Sequence, residues 1–291
     1  MRVKIMATQN YREVAQRMKQ IQEQQKKIVN KMKEIKYKIA ILSGKGGVGK
    51  SFVTASLAAA LASQGLKVGV FDADVHGPSI PTMLGLKEGI GLTADETGIH
   101  PAVGALGIKV VSVGLLIPSD STPVIWRGPL KTGAIRQLLA EVNWGELDYL
   151  LIDLPPGTGD EQLTIAQLIP SLSGTVIVTI PSEVSRVVVK KAISFTNRLN
   201  IRVIGIVENM TYFECPDGTR HYIFGKGAAE SLAKEFGIEY LGGIPIDPRI
   251  RESNDRGKVF FLEYPDSPAT KAFLEIAGRV RKVVEGGGKE D

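Results

Sequence analysis

The stretch KIAILSGKGGVGKS, residues 38–51, decides the fold. An apolar run comes first, the pattern G-x-x-x-x-G-K-[ST] follows, and the helical pattern SFVTASLAAALA begins at its last residue. This order predicts a phosphate-binding loop, because glycines let backbone N–H groups approach phosphates and the helix N-terminus adds positive charge. Lys50 should then reach the β- and γ-phosphates of a nucleotide, and the Ser51 hydroxyl should ligate Mg²⁺. The predicted loop comprises Gly44, Lys45, Gly46, Gly47, Val48, Gly49, Lys50 and Ser51.

From Tyr37 onward, short β-branched runs alternate with helical patterns. The runs are almost continuously apolar, which is typical of parallel strands covered on both faces. We therefore predict an α/β fold with a doubly wound, mainly parallel sheet, helices on both faces, and sites at the carboxyl ends of the strands. The predicted strands are Lys38–Ser43, Lys67–Asp72, Ile108–Val113, Asp148–Asp153, Gly174–Ile180, Arg202–Glu208 and Glu239–Ile244.

The chain divides into a basic helical extension over residues 1–36, a P-loop ATPase domain over 37–285 and a disordered tail over 286–291. Residues 1–38 hold 11 Lys/Arg and 3 Asp/Glu, whereas the remaining residues are slightly acidic. The basic side chains are not interleaved with stacking aromatics, so a nucleic-acid partner is not expected. Heptad spacing predicts an amphipathic helix that packs on the body, frays in solvent, pairs in a dimer or docks on an acidic partner. The seam comprises Val14, Met18, Ile21, Gln25, Ile28, Met32 and Ile35.

Composition indicates a cytoplasmic protein without a membrane partner. One cysteine excludes an internal disulfide, and no N-terminal stretch has the pattern of a secretory leader. The longest uncharged segment, Gln162–Ser182, is interrupted by Pro170, Gly174 and Pro181, which argues against a membrane span.

Carboxylates follow two of the predicted strands. Asp72 and Asp74 end one strand, and Asp153 ends another. A carboxylate beside a phosphate loop can hold Mg²⁺ or orient an attacking water, so we predict a phosphoryl-transfer site. Gly157 and Gly159 then give a loop that could respond to the γ-phosphate.

The extra lysine in GKGGVGKS, Lys45, resembles the deviant phosphate loop of the ParA, MinD and nitrogenase iron protein class. Within that class, DADVHGPS, WRGP at 126–129, IDLPPGTGD, ENMTYF and GGIPIDP resemble the Mrp/Nbp35 (ApbC) family of iron–sulfur cluster carrier ATPases. The resemblance covers nearly all of residues 37–285. It implies an ATP-driven, Mg²⁺-dependent homodimer with two nucleotides at the subunit interface, and an iron–sulfur apoprotein or scaffold protein as partner.

The resemblance also implies individual roles. Lys45 would contact the nucleotide of the opposite subunit, whereas Lys50 and Ser51 would contact their own. Asp74 would act on the attacking water, and both it and Asp153 would support Mg²⁺. The catalytic residues would thus be Lys45, Lys50 and Asp74, and a triphosphate would compensate the charge of the second lysine.

The adenine base is expected beside Asn209 and the segment that holds Pro245 and Asp247, again by resemblance. Asn209 follows a predicted strand and offers both a donor and an acceptor, which suits the edge of adenine.

The stretch ENMTYFECPDGTRHYIFG, residues 208–225, contains the one cysteine, Cys215. Members of the family usually have C-P-x-C-G here, so that two subunits supply four thiolates to one cluster. The second cysteine is missing, which leaves three interpretations. Asp217 or His221 completes a cluster site, Cys215 is a relic in a loop without metal, or two Cys215 thiols hold a shared cluster or zinc with exogenous ligands.

Two functions remain open from the sequence. One is an ATPase that assembles or transfers iron–sulfur clusters. The alternative is a nucleotide switch similar to MinD and ParA, which regulates a protein partner without a cluster.

Overall fold

The computed structural model describes residues 2–74, 79–87, 90–116 and 128–286. Parts of two motifs fall outside this range: the VHGP of DADVHGPS, and the Trp126 and Arg127 of WRGP. Most of the predicted tail also falls outside it, and the division into three segments stays a prediction.

One eight-stranded sheet forms the centre of the protein, with the order β12-β9-β8-β1-β7-β2-β6-β5. Neighbouring strands are parallel except for the β5–β6 pair at one edge. The strands are β1 (Ile35–Leu42), β2 (Val68–Asp72), β5 (Ala102–Val103), β6 (Lys109–Ser112), β7 (Leu147–Asp153), β8 (Gly174–Thr179), β9 (Val203–Glu208) and β12 (Tyr240–Gly243). Two hairpins lie outside the sheet: β3 (Thr93–Asp95) with β4 (Gly98–His100), and β10 (Phe213–Glu214) with β11 (Arg220–His221).

The seven predicted strands and the doubly wound arrangement are confirmed. The first strand begins three residues before the prediction, because Ile35 and Tyr37 pair with Leu147 and Tyr149 of β7. The heptad spacing extends the predicted helix to Ile35, whereas the helix ends at Met32 and Ile35 lies in β1. The sequence did not predict β5 or the hairpins, since strands of two or three residues leave no apolar run.

Helices cover both faces of the sheet. On one face, α2 and α10 pack on a core that includes Ile39, Val70 and Leu151, together with the shorter helices α3, α8 and α9. The opposite face is covered by α1, α4 and α5 and, toward β9, by α6 and α7. The helices are α1 (Arg2–Met32), α2 (Lys50–Ala62), α3 (Ile80–Met83), α4 (Gly128–Glu141), α5 (Asp160–Leu168), α6 (Glu183–Arg198), α7 (Ala228–Phe236), α8 (Pro248–Asp255), α9 (Phe260–Glu263) and α10 (Pro268–Gly286). Among the helices described, none is both long and apolar enough to cross a membrane.

Within residues 15–32, the part of α1 whose side chains are described, the residues buried against the body lie at the C-terminal end. Ile28 and Met32 are fully buried in the core that contains Ile135 and Leu139 of α4, so the extension and the domain share this core. Further toward the N-terminus of the same seam, Met18 and Ile21 are exposed.

Candidate functional site

The phosphate-binding loop leaves the carboxyl end of β1 and enters α2 at Lys50, as predicted. Gly47 and Gly49 have φ angles of +77° and +81°, a left-handed conformation that favours glycine. At Gly46 and Gly47, a Cβ atom would meet no atom within 4 Å. The loop therefore presents an open backbone edge, which fits the close approach of a phosphate group.

Asp153 is the centre of a buried polar cluster at the start of α2. Its Oδ2 atom accepts hydrogen bonds from Lys50 Nζ at 2.6 Å and from Ser51 Oγ at 2.7 Å. Thr54 Oγ1 donates to the other oxygen at 2.6 Å. Asp153 has no exposed surface, and the ion pair with Lys50 compensates a charge that burial would otherwise make very costly.

Asp72 lies beside Asp153 because the two residues pair in the parallel register of β2 and β7. The Asp72 carboxylate accepts hydrogen bonds from Ser112 Oγ at 2.9 Å and from the Asp74 backbone N–H at 3.1 Å. Burial, and then the negative charge of Asp153, raise the pKa of Asp72 to about 7. The site thus holds two adjacent carboxylates and one lysine that is in reach of Asp153.

The oxygen atoms of this cluster fit a magnesium ion. The Ser51 hydroxyl and the carboxylates of Asp72 and Asp153 are hard oxygen ligands, which Mg²⁺ prefers. Asp74 is half-buried two residues after the end of β2, so its chain position places it at the same edge of the sheet.

Lys45 is half-buried in the loop and makes no ion pair with any described residue. Lys50, five residues later, is paired with Asp153. The two lysines of the loop therefore differ in their surroundings within one subunit.

Asn209 contacts the phosphate-binding loop directly. Its side-chain Nδ2 donates to the Val48 carbonyl at 2.9 Å, and its backbone N–H donates to the Thr179 carbonyl at 2.8 Å. A Cβ atom at Gly49 would lie 2.3 Å from Asn209 Nδ2, so glycine is needed here for space as well as for its φ angle. The structure thus joins Asn209 to the loop.

Asp247 is engaged by its own helix. The carboxylate caps α8 by accepting from the Arg249 N–H at 3.0 Å, and it also binds the Arg249 guanidinium. Pro245 is buried two residues earlier. Asp247 therefore already has an N-cap role, and its predicted place beside adenine stays a prediction.

Cys215 is half-buried at the first position of the β10–β11 turn. Its N–H donates to the Thr219 carbonyl, and Asp217 accepts from the Thr219 N–H at 2.9 Å. His221 is exposed on β11, opposite Phe213. Over the part of the chain that the structure describes, no three His, Cys, Asp or Glu side chains form a metal-binding group. Within one subunit, Asp217 thus stabilises the turn.

Sequence reasoning missed Thr54 and Ser112. Thr54 lies four residues after Lys50, on the same face of α2, which is a signal that helical spacing could have revealed. Ser112 ends β6 opposite Asp72, and finding it requires the strand order.

The sheet order, the loop and the buried Lys50–Asp153 pair define a nucleotide-binding P-loop protein. A family model described as ParA: NUBPL iron-transfer P-loop NTPase matches residues 34–281. A protein from Saccharolobus solfataricus, named iron-sulfur cluster carrier protein, is 58% identical over 267 residues, which is 91% of this chain and 90% of that protein. The chain therefore belongs to the NUBPL iron-transfer P-loop NTPase family.

Two solved structures are similar to this one. The nucleotide-binding protein from Archaeoglobus fulgidus in complex with ADP is 47% identical, with a TM-score of 0.72 over 81% of this chain and 92% of that chain. The septum site-determining protein MinD from Pyrococcus horikoshii OT3, complexed with Mg-ADP, is 22% identical, with a TM-score of 0.63 over 88% of this chain and 100% of that chain. At that identity, the second likeness shows the fold alone.

Proposed function

We propose that this protein is a Mg²⁺-dependent ATPase that carries iron–sulfur clusters and transfers them to an apoprotein or scaffold partner. The ATPase part of this proposal rests on the polar cluster around Asp153, which holds Lys50 and Ser51 at the start of α2 beside the open edge of the loop. The proposal that an iron–sulfur cluster is the cargo is supported by relatives named iron-sulfur cluster carrier protein. Those names favour a carrier over a switch similar to MinD.

The loop residues bind the nucleotide in this proposal. The backbone N–H groups around Gly46 and Gly47 contact phosphate oxygens. The Lys50 ammonium leaves its ion pair with Asp153 and binds the β- and γ-phosphates. Ser51, Asp74 and Asp153 would hold Mg²⁺, which when bound neutralises charge on the phosphates. Asp74 orients the attacking water.

Asn209 and the segment from Pro245 to Asp247 flank the adenine base in this proposal. The hydrogen bond from Asn209 to the Val48 carbonyl supports this for Asn209, because it keeps the amide next to the nucleotide loop. For Asp247, the support is its chain position after β12, at the same edge of the sheet.

Two subunits form the active unit, and Lys45 acts on the nucleotide of the opposite subunit. Because it has no ion pair with the described residues of its own subunit, its ammonium is available to a charge that the partner brings. Such a cation stabilises the charge that develops on the transferred phosphoryl group.

A mixing experiment tests this role. Lys45→Met and Lys50→Met homodimers should each lose hydrolysis. A mixture should recover part of it, because the mixed dimer contains one complete site with Lys50 from one subunit and Lys45 from the other. Lys67→Met, which removes an exposed lysine just before β2, at the sheet edge opposite the loop, should hydrolyse ATP normally. Failure of the mixture to recover activity, with dimers confirmed by light scattering, would refute the role in trans.

For the cargo, we favour two Cys215 thiolates, one from each subunit, completed by ligands from outside the protein. Asp217 is bound within its own turn, so it is a weaker candidate than an exogenous thiol. The half-buried Cys215 remains accessible at the hairpin. A cytoplasmic location is part of the proposal, since reducing conditions keep this thiol free.

Anaerobic reconstitution with iron and sulfide tests the cargo. The unaltered protein should acquire a chromophore with iron and sulfide in constant ratio per dimer, and Cys215→Ala should acquire none. Asp217→Asn and His221→Ala should retain the cluster if the remaining ligands are exogenous. A colourless protein that still hydrolyses ATP would reject cluster carriage and leave the nucleotide site intact.

A further inference from the structure

A cavity of about 290 Å³ lies between the β9–β12 edge of the sheet, the N-terminus of α7 and the hairpin that carries Cys215. No residue of the phosphate-binding loop lines it. Its polar and aromatic lining includes Glu208, Tyr212, Tyr222, Lys226, Glu230 and Tyr240. Because none of these side chains has a part in the proposed ATPase site, the cavity needs a separate explanation.

Glu208 is the most informative residue of this cavity. It is only 3% exposed, and one carboxylate oxygen accepts a hydrogen bond from the Ala229 N–H at 2.9 Å, in the first turn of α7. Its second oxygen has no hydrogen-bond partner among the described residues. Burial raises the pKa of Glu208. A buried carboxylate that lines a cavity with one oxygen unpaired offers a strong acceptor to a hydrogen-bond donor that enters the cavity.

The aromatic lining already binds cations. The Lys226 ammonium lies 4.6 Å from the centre of the Tyr222 ring, and the Arg220 guanidinium lies 4.4 Å from the centre of the Tyr212 ring. The two rings are neighbours, with centroids 6.1 Å apart. Aromatic faces beside a carboxylate are a known combination for recognising ammonium and guanidinium groups.

The charges of the lining favour a cation over an anion. Among the lining residues, Glu208 and Glu230 contribute two carboxylates against the single ammonium of Lys226. The Arg220 guanidinium on the Tyr212 ring is compensated by its ion pair with Glu214. Lys226 is exposed and makes no ion pair with the described residues, so it can leave the Tyr222 ring at little cost. An incoming cation would replace it on the ring and also reach the unused oxygen of Glu208.

We propose that this cavity binds a protonated amine or a guanidinium group, presented on a lysine or arginine side chain of another protein or on a free small amine. The group donates to the second oxygen of Glu208 and packs against the rings of Tyr222 and Tyr240. The site lies next to the hairpin that carries Cys215, but its binding chemistry requires neither a nucleotide nor a cluster.

Nuclear magnetic resonance on the full chain with isotope-labelled tyrosine rings tests this site without nucleotide. The probes are N-acetyl-lysine N-methylamide, N-acetyl-arginine N-methylamide and putrescine. Saturable shifts of the Tyr222 and Tyr240 signals are expected. If only the blocked residues bind, the source is a protein side chain, and if putrescine binds equally well, it is a free amine.

Three variants make the test specific. Glu208→Gln keeps the acceptor for Ala229 but removes the charge, so affinity should fall about tenfold. Lys226→Met removes the competing ammonium and should tighten binding. Glu239→Gln, an exposed carboxylate outside the cavity, should change nothing. The proposal is overturned if no probe gives saturable shifts, or if Glu208→Gln binds as well as the unaltered protein. Should Glu208→Gln fail to fold, weaker or unchanged binding by Lys226→Met overturns it alone.

Discussion

Replacing Asp72 with asparagine should stabilise the protein at alkaline pH and do much less at acidic pH. The carboxylate is 1% exposed and adjacent to Asp153 in the sheet register. Asparagine has nearly the same shape. It can accept from the Asp74 N–H and donate to the Ser112 hydroxyl, so Asp72→Asn removes the charge without breaking either contact.

The magnitude follows from the pKa of Asp72, which rises from 3.8 in the unfolded chain to about 7 in the folded protein. Between these values the folded protein binds a proton that the unfolded chain has lost, so the free energy of unfolding falls as pH rises. One pKa unit corresponds to about 1.4 kcal/mol, and the full loss above pH 7 is therefore about 4 kcal/mol. Asp72→Asn abolishes this loss.

Chemical denaturation at about pH 5 and about pH 8.5, with a chelator and without nucleotide, measures the effect. The stability advantage of Asp72→Asn should grow by about 3 kcal/mol between the two conditions. Asp255→Asn, which alters an exposed carboxylate, should show no such growth. An advantage that is equal at both pH values, or a variant less stable than the unaltered protein at the higher one, would refute the reasoning.

Three further predictions concern the loop and the extension. Gly49→Ala should weaken ADP binding at least about tenfold in calorimetry, because its Cβ atom would displace Asn209. The control is Gly65→Ala, since Gly65 has the same φ of +81° but open space around it. This variant should bind ADP normally and lose only about 1–2 kcal/mol of stability. Lys50→Met should cost about 3–5 kcal/mol of stability in denaturant titrations, because it leaves the Asp153 charge buried without its ion pair. Adding Asp153→Asn should restore most of the lost stability. A double variant no more stable than Lys50→Met would contradict this explanation. Ile28→Ala should cost about 2–4 kcal/mol of stability because Ile28 is fully buried, whereas the exposed Ile21 on the same helix should cost under about 0.5 kcal/mol when replaced by alanine. Equal losses of stability would show that α1 also packs on the body around Ile21.

Patterns that depend on local sequence were predictable. The apolar runs identified the seven main strands, and the glycine pattern identified the loop before α2, since both follow from near-neighbour residues. The proximity of Asp72 and Asp153 also followed, because parallel strands bring their carboxyl ends to one edge.

Features that depend on long-range pairing were not predictable. Ser112 acquires its role only when the strand order places β6 beside β2. Helical spacing places Thr54 on the face of α2 that carries Lys50, but its hydrogen bond to Asp153 requires β7 beside β1. Likewise, the heptad spacing continues along α1, yet among the seam residues whose side chains are described, Ile28 and Met32 are buried in the core with α4 whereas Met18 and Ile21 are exposed. Spacing indicates which residues share a face of the helix, but not how much of that face finds a partner.

The connection between Asn209 and Cys215 explains why the cysteine hairpin can change without harm to the nucleotide site. Asn209 is bound to the loop, and Thr211 and Tyr212 are fixed to the segment after β12 through backbone hydrogen bonds with Ile244 and Ile246. Beyond Tyr212, the hairpin is held by a ladder of two residue pairs, by its own turn contacts and by one bridge from Phe213 to Ile246. A substitution in that turn therefore perturbs local geometry, whereas the Asp153 cluster depends on the central strands. The presence of a single cysteine in this hairpin is compatible with an intact phosphate site for this reason, and the proposed cluster binding can be measured separately from ATP hydrolysis.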